Sequence, residues 1–224
     1  MGGFTMKTVI IGAGGHARVL FEILSYDRNI EVVAFVDSVI RGSDEKIMDI
    51  SVLGDHSVLP KLFKSGVKGA IIGVGDNNIR KAHFEKIKNM GVELVNAIHP
   101  TAHIAHNAKM GRGVVIGTGA TIATGVEIGN NVIVNTGAII EHEDIIEDHV
   151  HIASGTVLAG RVTVKEGAFV GAGTVIKEYV TIGANATIGA GSVVLEDTSD
   201  NAVAVGAPAK VIKIKNEKER IEHE

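Results

Sequence analysis

The chain has 224 residues and a net charge of −4, with 45% hydrophobic side chains, 4% aromatic ones, no Trp and no Cys. The missing cysteines exclude a disulfide framework, a thiolate metal site and a cysteine nucleophile. There is no basic run before the last fifteen residues, so nothing marks a nucleic-acid surface. No apolar run reaches the ~18 residues of a membrane span, and no signal-peptide pattern opens the chain, so the expected compartment is the cytoplasm.

Met1 to Thr5 reads as a leader before Met6. Lys7 to Ile11 has the unbroken apolar character of a buried strand. Gly12-Ala13-Gly14-Gly15-His16-Ala17 follows and opens an amphipathic helix that runs to about Tyr26. Glu31 to Val36 is a second strand and ends in Asp37. Strand, Gly-rich turn, helix, strand and acid make a dinucleotide-type fingerprint. Small residues let the backbone approach a diphosphate, the helix N-terminus favours its charge, and the acid suits a ribose hydroxyl.

Ser38 to Ile50 is a polar excursion. Val52 to Asp55, a helix over His56 to Ser65 and a strand over Gly69 to Val74 come next. Gly75-Asp76-Asn77-Asn78 is a second polar turn, opening a helix from about Ile79 to Met90. This leaves room for a small sheet of three or four strands, too little for a full two-half dinucleotide domain. The carboxyl edge of that sheet should gather Gly12, Ala13, Gly14, Asp37, Gly75 and Asp76, where open α/β sheets take their ligands. His16, at the helix start, either faces that ligand or caps the turn.

From Ile104 to Val194 every sixth residue is aliphatic, and the residue two before each is mostly small or β-branched. Neither a helix nor an alternating strand has a period of six. A parallel β-helix does: each hexad makes one short face, and three faces close a coil of eighteen residues.

Glu141 to Ile152 breaks the neutrality of this repeat with Glu141, His142, Glu143, Asp144, Glu147, Asp148, His149 and His151. Glu141, His142 and Glu143 fall at a corner. Asp144 falls at an inward position, where a carboxylate needs a hydrogen-bond partner to offset burial. A histidine beside carboxylates is suited to general base work. A zinc site built from His142, His149 and His151 is the competing reading; their places in the repeat put them on different parts of a coil, so no metal is expected. Gly160 lies eighteen residues after His142, over the same corner, and leaves a backbone N–H open beside the candidate base.

The hexads, Asn135-Thr136-Gly137-Ala138, Glu141-His142-Glu143 and the closing Gly206-Ala207-Pro208-Ala209-Lys210 resemble the left-handed β-helix, or hexapeptide-repeat, acyltransferases. With the Gly-rich start, the chain from about Met6 to Ile212 is similar to the sugar acetyltransferases of the bacillosamine, perosamine and sialic-acid pathways. The resemblance implies an α/β Rossmann-like N-terminal domain followed by a left-handed parallel β-helix. The corresponding units are a nucleotide-sugar-binding domain over 6–98, an acyltransferase domain over 99–212 and a charged tail over 213–224. It also implies a homotrimer, acetyl-CoA as cosubstrate without a metal, and acetylation of a nucleotide-linked amino sugar, with uridine as the expected nucleoside. An O-acetyltransferase and a non-catalytic nucleotide-binding trimer are the alternatives.

Residue by residue, the resemblance makes His142 the base and Glu143 its orienting acid. It places His151, Gly160, Ala172 and Gly189 on the coenzyme side, and Gly12, Asp37 and Gly75 at the nucleotide end. The chain departs from the family pattern in a long Ser38–Ile50 loop and in Asp76, where the family has Asn.

Overall fold

The computed structural model describes residues 5–39 and 45–216. The expectations for most of the leader, for the middle of the polar excursion and for 217–224 lie outside the described residues.

The N-terminal elements are β1 (Met6–Ile11), α1 (Gly15–Ser25), β2 (Ile30–Val36), β3 (Lys46–Ile47), β4 (Ile50–Leu53), α2 (Leu59–Lys64), β5 (Gly69–Ile72), α3 (Asn77–Lys88) and β6 (Glu93–Leu94). They form a six-stranded sheet in the order β3-β4-β2-β1-β5-β6. It is parallel except for the β3–β4 hairpin. The sheet is wider than the three or four strands expected. The additions are short edge strands: β4 joins only at Phe35–Val52 and Val36–Leu53, and β6 at two residue pairs. Segments this short carry no periodic signal.

The central strands are buried on both faces, which is why they read as unbroken Val and Ile runs. One face packs Val9, Ile11, Val36 and Ile72 against Leu59, Phe84 and Ile87. On the other face Ile10, Phe35 and Ile71 meet Leu20, Ile23 and Leu24 of α1. The last small position of the fingerprint is Ala17. It is accommodated because its partner across the helix–sheet contact is Gly73, where a Cβ would come within 2.8 Å of the Ala17 Cα and Cβ.

From β7 (Ala97–Ile98) to β23 (Val193–Val194), two-residue strands recur every six residues and pair in parallel with the strand eighteen residues on, as in Ile133 with His151 and Ile139 with Val157. Three sheets result, one per face of a prism. The inward aliphatic residues are buried from Ile116 onward, and the minus-two residues Val114, Ala120, Val126 and Ala138 are buried with them. Ile104 and Met110, in the first coil, only lean on this core. A closing hairpin, β24 (Ala202–Gly206) with β25 (Ala209–Ile214), extends the first sheet. Lys213 and Ile214, expected in a charged tail, therefore belong to a strand.

The two units share a core. Ala97, Val115 and Ile133 are the outward residues of one prism face, and they join the α1 side of the N-terminal core. His151 and Phe169 continue that column, ring centroids 5.1 Å apart. The sheet with its helices is thus seated on one face of the prism through α1.

Candidate active site

The corner Glu141–Glu143 is a tight turn with Glu143 at φ +61°. In the corner column spaced by eighteen residues, Gly125, Arg161 and Tyr179 also have positive φ, so three side chains accept a conformation that favours glycine. Their side chains form a ladder. Arg161 Nε donates to Glu143 Oε2 at 2.8 Å, and Arg161 Nη1 donates to the Tyr179 hydroxyl at 2.7 Å. Hydrogen bonds from Arg161 and then from His142 hold the Glu143 carboxyl below its ordinary range. The sequence reading found Glu143 but not Arg161 or Tyr179; the signal was their eighteen-residue spacing.

His142 Nδ1 lies 3.3 Å from the same Glu143 Oε2. An ionised carboxylate only accepts, so Nδ1 carries the hydrogen and Nε2 keeps its lone pair free. That free edge faces Gly160: a Cβ added there would come within 2.5 Å of His142 Cε1 and Nε2. The Gly160 N–H makes no hydrogen bond among the described residues. The corner thus holds an oriented imidazole and an unengaged backbone donor side by side, the minimum for acyl transfer through a tetrahedral oxyanion. It has the requisites for a thioester carbonyl: a donor for its oxygen, and space that any larger residue at 160 would fill.

A second cluster lies between the sheet edge and the prism. The His151 Nδ1 donates to the Gly75 carbonyl at 3.2 Å, which leaves Nε2 as an acceptor; it is buried without a partner among the described residues. His16 Nε2 is in the same condition. Burial and then the nearby Arg80 cation hold both imidazoles down to about 4. His16 therefore faces this cluster and is not a cap: α1 has Gly14 at its N-cap, no side-chain cap bond and no acid in its first turn. The free amides there suit an anion.

Arg80, missed in the sequence, spans this cluster. Its guanidinium is 1% exposed and donates to Gly75 and Asn131 carbonyls, to Asn77 Oδ1 at 2.8 Å and to the His149 carbonyl at 2.8 Å. In a sequence it looks like any charge on a helix surface.

At the Gly-rich turn, Ala13 N–H donates to Asp37 Oδ2 at 2.8 Å, and Val39 N–H to Oδ1 at 2.9 Å. Gly12 has φ +106° and sits against Gly73. Asp37 thus braces the turn, and its remaining lone pairs face outward. The Asp76 side chain is taken up as the N-cap of α3, accepting from Asn78 and Ile79 amides at 2.9 and 3.0 Å. Ala172 and Gly189 lie on adjacent coils at a different prism corner from His142. A Cβ at Gly189 would come within 2.7 Å of Val205. One chain therefore brings together His142, Glu143 and Gly160 at one corner, and gathers Gly12, Ala13 and Asp37 with Gly75, His16 and His151 along the carboxyl edge of the sheet; among the described residues no contact joins His142 to that edge. Among the described residues no three His, Asp or Glu side chains are grouped to hold a metal, and no helix is long and apolar enough to cross a membrane.

The buried imidazoles make stability pH-dependent. Unfolded histidine titrates near 6.5 and these two near 4, so between those values the unfolded chain binds more protons and acid favours unfolding. Asp144, raised to about 7 by burial, acts oppositely, favouring unfolding as pH rises from about 4 to 7. Burial also lowers His56, His83 and His149, so histidines outweigh the one aspartate, each unmatched group contributing at most about 1.4 kcal/mol per pH unit. The melting temperature should therefore fall from pH 6.5 to 4.5, and His151→Gln should flatten that slope. A flat wild-type profile contradicts the assignment of neutral buried histidines.

Residues 7–87 match the family model described as the PglD N-terminal domain, and residues 161–196 match the bacterial transferase hexapeptide (six repeats) model. A variant of GDP-perosamine N-acetyltransferase from Caulobacter crescentus, solved with CoA and GDP-perosamine, is 36% identical; the match covers 95% of this chain and 98% of that one, with a TM-score of 0.86. The acetyltransferase domain of PglB from Neisseria gonorrhoeae FA1090, solved with acetyl coenzyme A, is 29% identical over 93% of this chain and 100% of that one, TM-score 0.85. WeeI from Acinetobacter baumannii AYE, at 20% identity, 93% and 100% coverage and TM-score 0.78, shares the fold. No curated protein matches by sequence.

Proposed function

We propose that this chain, which belongs to the left-handed β-helix sugar acetyltransferases with a PglD-type N-terminal domain, acetylates a nucleotide-linked amino sugar with His142 as general base. It is an acetyltransferase that uses acetyl-CoA as cosubstrate. The observation that carries the residue assignment is the His142 corner. It holds a base whose tautomer is set by Glu143, a free Nε2, and an unengaged Gly160 N–H beside it.

The sugar amine approaches Nε2. As its nitrogen attacks the thioester carbonyl, the C–N bond forms and the amine proton passes to His142. The Gly160 N–H donates to the oxygen that becomes negative. When the C–S bond breaks, the thiolate takes the proton and His142 returns to its neutral form. Glu143 holds the imidazolium in place between these steps. The diphosphate of the acceptor lies on the α1 N-terminus with Gly12, Ala13 and Gly14, and Asp37 faces the ribose. His151 and Gly75, at the same sheet edge, line the path of the sugar.

A homotrimer supports this arrangement. The base corner, the Ala172–Gly189 corner and the nucleotide edge diverge in one chain. A threefold assembly sets a corner of one prism against the neighbour, so that coenzyme and nucleotide sugar meet at His142. The relative from Caulobacter was solved with a guanosine nucleotide sugar, whereas the uridine expectation rests on the sequence resemblance.

The test is thiol release from acetyl-CoA against uridine- and guanosine-diphosphate amino sugars, with sialic acid alongside. Release with an amino sugar, at a kcat/KM at least ~10-fold above the next acceptor, is expected and names the base; discrimination of this size needs only about 1.4 kcal/mol. Release with sialic acid alone overturns N-acetylation, and no release with any of them overturns the acceptor class.

A further inference from the structure

The prism turns at three columns of corners, each built on residues with positive φ. One column is Gly119, Gly137, Gly155, Gly173 and Gly191. A second is Gly113, Asn131, His149, Gly167 and Asn185, residue types that enter this conformation most readily. The third starts with Gly125 and then carries Glu143, Arg161 and Tyr179 at φ +61°, +63° and +65°. Glu, Arg and Tyr are disfavoured there relative to the residues of the other two columns. What three consecutive coils gain in that column is a chain of side chains that ends on the base.

The chain is connected atom to atom. The Tyr179 hydroxyl accepts from Arg161 Nη1 at 2.7 Å, and the Arg161 Cζ stands 5.6 Å from the Tyr179 ring centroid. Arg161 Nε donates to Glu143 Oε2 at 2.8 Å, and His142 Nδ1 meets the same oxygen at 3.3 Å. The two contacts are unequal: the first is a short charge-assisted bond, the second is longer than the usual N–H···O range. The His142 and Glu143 side chains are 50% and 53% exposed, so packing does not fix their rotamers. Arg161 therefore sets the position of the oxygen on which His142 leans. It also draws on the charge that steadies the imidazolium, an effect of opposite sign. Solvent screens that charge effect between half-exposed groups, whereas misplacing a catalytic group by ~1 Å costs on the order of 10²-fold in rate. Geometry decides the sign.

We propose that Arg161 is a positioning residue for acyl transfer: with Tyr179 on its far side, it holds the Glu143 carboxylate against His142 Nδ1 and so keeps Nε2 turned toward Gly160 and the substrate amine. The inference rests on the reading of His142 as the base. It accounts for three long side chains at corners where Gly, Asn and His suffice elsewhere. Because Arg161 acts through Glu143, its removal costs no more than removal of Glu143 itself, and the effect falls on kcat.

The experiment compares Arg161→Gly, Arg161→Met, Glu143→Ala and the double variant Arg161→Met with Glu143→Ala, with His142→Ala in parallel. Glycine suits a positive φ and stands at the same corner in Gly125, so Arg161→Gly keeps the test open where Met strains the turn. Both Arg161 variants should melt within about 3 °C of wild type, since exposed ion pairs stabilise little. Both should lose ~3–10-fold in kcat, with KM for acetyl-CoA and for the nucleotide sugar within about twofold. The double variant should match Glu143→Ala within about twofold, because without the carboxylate Arg161 has nothing to position. Wild-type kcat in Arg161→Gly, while His142→Ala is inactive, overturns the positioning role alone. Losses that multiply in the double variant overturn it too, as does a raised KM with unchanged kcat, which would mean that Arg161 binds a ligand directly. An active His142→Ala overturns the site itself.

Discussion

His142→Ala should lower kcat by ~10²–10⁴-fold, the usual range for loss of a general base, and leave the fold intact. The loss corresponds to about 2.7–5.5 kcal/mol of transition-state stabilisation. Stability should hold because the side chain is 50% exposed, its one hydrogen bond is to a half-exposed carboxylate, and its neighbour Gly160 needs nothing from it. A melting temperature within about 2 °C of wild type and a KM for acetyl-CoA within about threefold are expected, since the missing interaction belongs to the transition state. Removing the ring opens space beside Gly160, so added imidazole should recover part of the rate. Glu143→Gln should cost less, about 10-fold. Its carboxylate is exposed and already shared with Arg161, so solvent screens most of its charge effect. A His142→Ala kcat within about threefold of wild type removes the base assignment.

What the sequence made legible is what repeats. A period of six fixes which side chains point inward, and eighteen-residue stacking brings Gly160 over His142 without reference to a structure. The same spacing held more than was taken from it. The outward column Ala97, Val115, Ile133, His151, Phe169 is apolar or aromatic, whereas Lys109, Glu127 and Thr163 on another face are polar. A second outward column, Ile139, Val157, Val175, Val193, is equally apolar, so the spacing narrows the face that receives the N-terminal domain to two of three and leaves the burial of His151 to the structure. Likewise, Glu143, Arg161 and Tyr179 stand one coil apart in register. Other features left no periodic trace. β3 lies within the polar excursion itself, and β4 joins the sheet only through Phe35–Val52 and Val36–Leu53, seventeen residues apart. Asp76 has the same composition whether it caps a helix or faces a ligand. Asp144 was legible as an anomaly, but its partner, the Val162 N–H, was not, because an amide belongs to backbone geometry.

Arg80→Ala should be the most destabilising single change in the described chain region between the two units. The guanidinium is 1% exposed and held by burial at about 9, so it is charged at neutral pH. It bridges carbonyls of Gly75 on the sheet edge and of Asn131 and His149 on the prism. Around it, Asn77 donates to the Gly167 and Ala168 carbonyls, and Phe84 packs edge-on against His149 at 5.4 Å. Truncation strands several buried acceptors, each costing ~1–3 kcal/mol if left unpaired, and leaves a cavity where the side chain stood. Partial relaxation and water entry reduce the sum to an expected loss of about 3–5 kcal/mol, comparable to breaking a buried ionic contact. At roughly 2–4 °C per kcal/mol for a chain of this size, the melting temperature should drop by about 6–20 °C. Arg80→Lys should fall between, since one ammonium cannot reach carbonyls on both units in the fork geometry that guanidinium provides. Kinetically the damage should appear as a raised KM for the nucleotide sugar, because Gly75 and His151 lose their common anchor while the His142 corner keeps its own. An Arg80→Ala protein that melts within about 2 °C of wild type would mean that α1 and the shared apolar column seat the domain by themselves, and that the arginine serves only the ligand.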